Sequence, residues 1–272
     1  MKLFKSFFAL VSVLSLIIPT VMASSGPYDI QEGDMYGLIH SIPQTTDNPP
    51  DSIDWAGEPL GPHQSTHGFI TDKAIAIMTR DLSYFPLSGY TATLRNASDW
   101  PDSNENDNGL FIGHFYDPDT GKSIFQYTSP TARTRLVSWY NNAVSQYRAG
   151  NISMAMTYLG RALHYAEDLS TPHHAANLAA YASYHLEYEQ WVQEHQTNYI
   201  ELNAPAATYN WARRTSISDM GHNFAVNAKL LINDANSGIE SRYAIATATA
   251  LPKAQRNAVA VLYRFCVEVG LI

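Results

Sequence analysis

The chain has 272 residues, 45% hydrophobic and 15% charged, a balance that fits a globular protein and excludes a disordered one. Its net charge of -8 argues against a broad basic surface for nucleic acid. The single cysteine, Cys266, rules out an intrachain disulfide and a cysteine-based zinc motif, whereas ten histidines supply metal-binding groups of another kind.

Residues 1–23 (MKLFKSFFALVSVLSLIIPTVMA) read as a signal peptide, with Lys2 and Lys5 ahead of an apolar run at 7–18 and a small-residue cleavage site at Val21-Met22-Ala23. That run is short for a membrane span, so export without a transmembrane anchor is expected. Residues 24–54 hold six acids (Asp29, Glu32, Asp34, Asp47, Asp51 and Asp54), no Lys or Arg, and the run Asp47-Asn48-Pro49-Pro50. Lacking any helical period, they read as a pro-segment or linker.

Helical signals dominate from residue 55. The segment 67–80 places Ile70, Ala74, Ile77 and Met78 on one face. Residues 82–128, with the acidic stretch 99–107, read mostly as loop. Ser129-Pro130 marks a helix start, with Pro130 as the first helical residue, and Gly150 its end. The next helix, 151–169, carries Met154, Tyr158, Leu159, Ala162 and Tyr165 at helical spacing, and Thr171-Pro172 breaks it. Further helices are expected from 179 to about 199, with Tyr181, Tyr184, Tyr188 and Trp191 on it, and over 217–235 and 252–269. Strand signals are nearly absent, so the expected fold is one all-α, multi-helix domain over 55–272.

Two pairs carry the chemistry. His164 and Asp168 are four apart and leave one face of one helix; His185 and Glu189 repeat that geometry on the next. Histidine nitrogen with carboxylate oxygen suits zinc. His174 follows the Pro172 break between them, and about 16 Å of unbroken helix would separate it from His185. The chain must therefore bend for these two to share an ion, and Pro172 with Ala175, Ala176, Ala179 and Ala180 permits that. One such pair alone is commonly a hydrogen-bonded surface pair, but two flanking a third histidine within 26 residues favour a metal site. His173 points elsewhere if His174 points in; His40 lies in the pro-segment, and His63, His195 and His222 lack partners at ligand spacing.

The run 159–168 (LGRALHYAED), then 172–177 (PHHAAN), then 185–189 (HLEYE), resembles the bacterial zinc-dependent phospholipases C. So do 114–122 (HFYDPDTGK) and Trp55 followed twelve residues later by His67. The resemblance covers nearly all of 55–272 in unbroken order. It implies a helical fold with a three-zinc site, shared with the single-strand nucleases, and a mature chain that starts at Trp55, whose free amine and carbonyl bind zinc. It further implies that Asp99, His114, His164 and Asp168 hold one zinc, that His174, His185 and Glu189 hold a second, and that Trp55, His67 and Asp168 hold a third, with Asp168 bridging. Asp99, or a zinc-bridging hydroxide, would accept the proton of the attacking water, and Asp102 is a nearby alternative to Asp99 as the loop ligand. Glu58, Trp100 and Phe111 would form a box for a choline headgroup, in which tryptophan serves well as a cation–π partner.

The activity so implied is zinc-assisted attack of water on the glycerol-side phosphodiester of phosphatidylcholine and related lipids at a membrane surface, giving diacylglycerol and phosphocholine. A processing protease would cut after Asp54, making the precursor a zymogen. The alternatives are a single-strand nuclease of the same zinc fold and a non-catalytic secreted zinc-binding protein. A longer step from Trp55 to His67, Glu189 in place of Asp, and the lack of disulfides argue against a nuclease, so no nucleic-acid partner is expected. With only 83 residues after Glu189, all reading as helix, an added β-sandwich is not expected.

Overall fold

The computed structural model describes residues 64–272. The signal-peptide and pro-segment readings, and Trp55 and Glu58, lie outside the described residues. Within them the chain forms ten α-helices joined by short 3₁₀ turns, and contains no strand, only an isolated antiparallel bridge between Asp117 and Lys122. Among the described residues no helix is long and apolar enough to cross a membrane.

Helix α1 (Thr66–Asp81) starts where the Ser65 hydroxyl accepts a hydrogen bond from the Gly68 N–H. Helix α2 (Thr91–Asn104) occupies part of the expected 82–128 loop, and residues 99–104 of the acidic stretch form its end. Helix α3 (Ala132–Arg148) begins two residues later than Ser129-Pro130 suggests: Thr131 is the cap and forms a reciprocal capping box with Thr134. Gly150, with φ at 83°, closes the turn that leads from α3 into α4 (Ile152–Asp168).

Helix α4 is the axis of the fold, packing against α2, α3 and the long C-terminal helix. Its last seven residues, Ala162 to Asp168, are all buried. Gly160 brings α2 close to it: a methyl group there would lie 2.5 Å from the Leu94 carbonyl oxygen and the Ala97 Cβ. Helix α5 (Pro172–Ala175) is a single turn with Pro172 at its first position.

The helix expected from 179 starts later, as α6 (His185–His195), preceded by a 3₁₀ turn at Ala180–Ala182 that leaves Tyr181 and Tyr184 exposed. Helix α7 (Ala206–Arg214) has no sequence forecast. The expected 217–235 helix is two, α8 (Ile217–Lys229) and α9 (Ile232–Ala235), and α10 (Glu240–Glu268) runs through Pro252 rather than starting at it. Leu159, Leu163, Leu136, Leu251, Val259 and Phe265, all essentially without exposure, belong to the main core.

Candidate metal centre

Six separate stretches meet at one end of α4. The first turn of α1 brings His67, the last turn of α2 brings Asp102, and the 3₁₀ turn Ile112–His114 brings His114. The buried C-terminal half of α4 brings His164 and Asp168, α5 brings His174, and α6 brings His185 and Glu189. All eight are buried.

They form three sets whose donor atoms lie within 4.8 Å of one another: His67, His164 and Asp168; Asp102, His114 and His164; and His174, His185 and Glu189. Asp168 spans two sides. Its Oδ2 lies 3.1 Å from His114 Nδ1 and 3.2 Å from His164 Nε2, while its Oδ1 lies 3.7 Å from His67 Nε2 and 3.5 Å from His174 Nδ1. Asp102 Oδ1 is 3.3 Å from His164 Nε2 and 3.7 Å from His114 Nδ1. Glu189 Oε1 is 2.7 Å from His185 Nε2 and 3.4 Å from His174 Nε2.

Each imidazole is braced by one ring nitrogen: in His164 and His114 the one turned away from the cluster, and in His174 Nδ1, which leaves Nε2 facing Glu189. His164 Nδ1 donates to the Ser98 carbonyl at 2.8 Å, His114 Nε2 to the Glu105 carbonyl at 3.2 Å, and His174 Nδ1 to the His114 carbonyl at 2.8 Å. Carbonyl oxygens only accept, so these contacts place the ring protons outward and leave lone pairs facing Asp102, Asp168 and Glu189. His185 is aligned by His173, whose ring stacks on it at 4.7 Å and 3°.

Electrostatics follow from burial. Burial penalises the Asp168 carboxylate, but His164, His174 and His114 outweigh it and hold the group well below the usual carboxylate range. Burial, then His164, hold His67 well below the ordinary imidazole value. Its Nδ1 lies 2.7 Å from Glu167 Oε2, and burial pushes that carboxyl well above its ordinary value.

Of the sequence-derived site residues, His67, His114, His164, Asp168, His174, His185 and Glu189 come together. Asp99 does not join them. Its Oδ1 accepts from the Ser65 hydroxyl at 2.7 Å and the Gly68 N–H at 3.1 Å, bracing the start of α1, and burial raises it to about 6. The place expected for Asp99 is taken by Asp102, one helical step further along α2. One face of the half-buried Trp100 ring is taken: the Arg161 guanidinium lies 3.5 Å from its centroid, and Trp139 makes a T-shaped contact at 6.5 Å. Phe111 is half-buried, edge-on to His114 at 5.5 Å. Among the other histidines, His195 stacks on Trp191 and His222 meets the Tyr116 hydroxyl.

Two supports have no counterpart in the sequence reading. Glu167 is one. The other is Glu105, whose carboxylate accepts from Tyr165 at 2.7 Å and from Trp139 at 2.9 Å, and whose carbonyl takes Arg135 as well as His114. The Glu167-Asp168 doublet is the sequence signal for the first, and the acidic stretch 99–107 contains the second.

Comparison with known proteins agrees with this geometry. The sequence model described as zinc dependent phospholipase C matches residues 66–246. The chain is similar to phospholipase C of Paraclostridium bifermentans, 33% identical over 54% of this chain and 42% of the relative. Similarity to phospholipase C of Bacillus cereus is 32% over 61% of each, and to that of Clostridium perfringens 28% over 79% of this chain and 61% of the relative. The chain therefore spans between 42% and 61% of the length of these relatives. The solved alpha toxin of Clostridium absonum superposes with a TM-score of 0.70 at 26% identity, covering 82% of this chain and 65% of the toxin. With the family pattern matched over most of its length and a helical fold shared with solved relatives, the chain belongs to the zinc dependent phospholipase C family.

Proposed function

We propose that the chain is a secreted zinc-dependent phospholipase C that hydrolyses the glycerol-side phosphodiester of phosphatidylcholine and related phospholipids to diacylglycerol and phosphocholine. The observation that carries this reading is the meeting of eight buried histidine and carboxylate side chains in three donor sets. Relatives named phospholipase C support the substrate class.

The donor set fits zinc. Histidine nitrogens and carboxylate oxygens are its usual ligands, and the outward ring protons of His164, His114 and His174 leave lone pairs for a cation. Asp102, His114, His164 and Asp168 would hold one ion, and His174, His185 and Glu189 a second. A third would be held by His67 and Asp168 with Trp55, whose α-amine is available once the chain is cut after Asp54. Bound zinc supplies Lewis acidity, polarising phosphoryl oxygens and making water nucleophilic near neutral pH.

The protein's own groups do the rest. Asp102 is the carboxylate assigned to accept the proton of the attacking water, replacing Asp99 in that role. The new bond joins water oxygen to phosphorus; the bond from phosphorus to the glycerol oxygen breaks, and that oxygen takes up a proton. The only cysteine, Cys266, is buried in α10, so no thiol nucleophile is involved. Preference for choline rests on Glu58 and Phe111, because Arg161 takes one face of Trp100. Residues 1–23 support export, and the acidic segment 24–54 supports a zymogen opened by a processing protease.

The test is phosphocholine release from phosphatidylcholine vesicles by the purified protein, with single-stranded DNA assayed in parallel. Release that a chelator abolishes and zinc restores is the expected result. DNA cleavage without lipid hydrolysis would move the reading to the nucleases, and zinc binding without either activity would make the protein a non-catalytic zinc binder.

A further inference from the structure

Glu167 is a carboxylate buried without exposure, one residue before Asp168, and its side chain faces α1. Its two oxygens are divided between two residues of that helix. Oε2 meets His67 Nδ1 at 2.7 Å, and Oε1 accepts from the Thr71 hydroxyl at 3.0 Å. His67 and Thr71 are four apart and share one helical face, so a single carboxylate clasps α1 to α4 through both. The Thr71 bond fixes where the carboxylate stands, and the His67 bond fixes the imidazole. His67 Nε2 is thereby turned towards Asp168 at 3.7 Å and Asp102 at 3.9 Å.

The other cluster histidines whose outward nitrogen has a mapped partner lean on backbone carbonyls, at Ser98, Glu105 and His114. His67 leans on a carboxylate. A carboxylate behind a metal-binding imidazole sets its tautomer and orientation and raises its basicity.

We infer that Glu167 is a positioning residue that makes His67 competent to bind zinc through Nε2, with Thr71 holding Glu167 in place. This rests on the zinc reading of the cluster. Zinc at Nε2 keeps the imidazole proton on Nδ1, where the Glu167 carboxylate accepts it. Glu167 touches neither the phosphodiester nor the zinc; it acts through His67.

The test follows zinc rather than turnover. Wild type, Glu167→Ala, Glu167→Gln and His67→Ala are dialysed against a graded series of chelator concentrations, and zinc per chain is measured at each. Glu167→Met, which fills the same space without a polar atom, replaces the alanine variant if that one does not fold. In the Ala or Met variant, one zinc should be lost at a chelator concentration about 10–100-fold below that needed in wild type. It should be the same zinc that His67→Ala loses, and the double variant should lose no more. Glu167→Gln, which can still accept from Nδ1, should recover most of the retention. Unchanged zinc retention in the Ala or Met variant would overturn the inference, as would equal loosening of every zinc or failure of Gln to rescue. Wild type that binds no zinc would instead overturn the zinc reading itself.

Discussion

His114 Nδ1 and His164 Nε2 face one another at 3.1 Å, while the other nitrogen of each ring is committed to a backbone carbonyl. Asp168 Oδ2 stands 3.1 Å and 3.2 Å from the same two atoms. Three electron-rich atoms at that separation in a buried site form a donor set that fits a cation.

The choice between two acids of α2 can be tested directly. Asp102→Ala should lower activity by about 100-fold or more and weaken zinc retention, because it removes a member of a donor set. Asp99→Ala should keep its zinc and lose about 1 kcal/mol of stability, because it removes the acceptor for Ser65 and Gly68 at the start of α1. Zinc analysis and thermal melts of the two variants separate these outcomes. Zinc loss in the Asp99 variant alone would reverse the assignment.

Gly160→Ala should destabilise the protein by about 1–3 kcal/mol. Its Cβ would fall 2.5 Å from the Leu94 carbonyl oxygen, which is backbone and cannot swing aside. Relief requires α2 to move off α4, which carries Ser98 and Asp102 away from His164. The variant should therefore lose zinc more readily as well as melt earlier, and calorimetry with zinc analysis reads both.

The same contact explains how much of the molecule was legible in the sequence. Helix α4 and its His164–Asp168 pair could be read because their apolar spacing is regular and local. Helix α2 could not: Asp99, Asp102, Ser103 and Asn104 favour turns, Pro101 interrupts the run, and the helix depends on packing against α4 at Gly160. Without the helix there is no rotational phase, so the choice between Asp99 and Asp102 stayed open. They are three residues apart, and that step turns one towards Ser65 and the other towards His164. Pro252 hid the first half of α10 for a related reason: proline ordinarily ends a helix, but tertiary packing carries this one through it.

Trp100→Ala should lower the melting temperature, losing about 1–2 kcal/mol with the Arg161 stack. Hydrolysis of choline, ethanolamine and serine lipids should then change in the same proportion. A selective loss on the choline lipid would return Trp100 to the headgroup box.

Two forms of the protein test the zymogen, one starting at Ser24 and one at Trp55. The longer form lacks the free amine of Trp55 and keeps six acids nearby in sequence, so it should bind fewer zinc ions and hydrolyse lipid more slowly. Cleavage after Asp54 should restore both. Equal zinc content and equal rates would show the segment to be passive.

The most direct measurement of the central claim is zinc per chain in the form starting at Trp55, taken on the same samples as phosphocholine release from phosphatidylcholine vesicles. About three zinc ions per chain are expected from the donor sets and Trp55, with release that falls as a chelator removes them and returns when zinc is added. Full phosphocholine release from protein stripped of metal would contradict it.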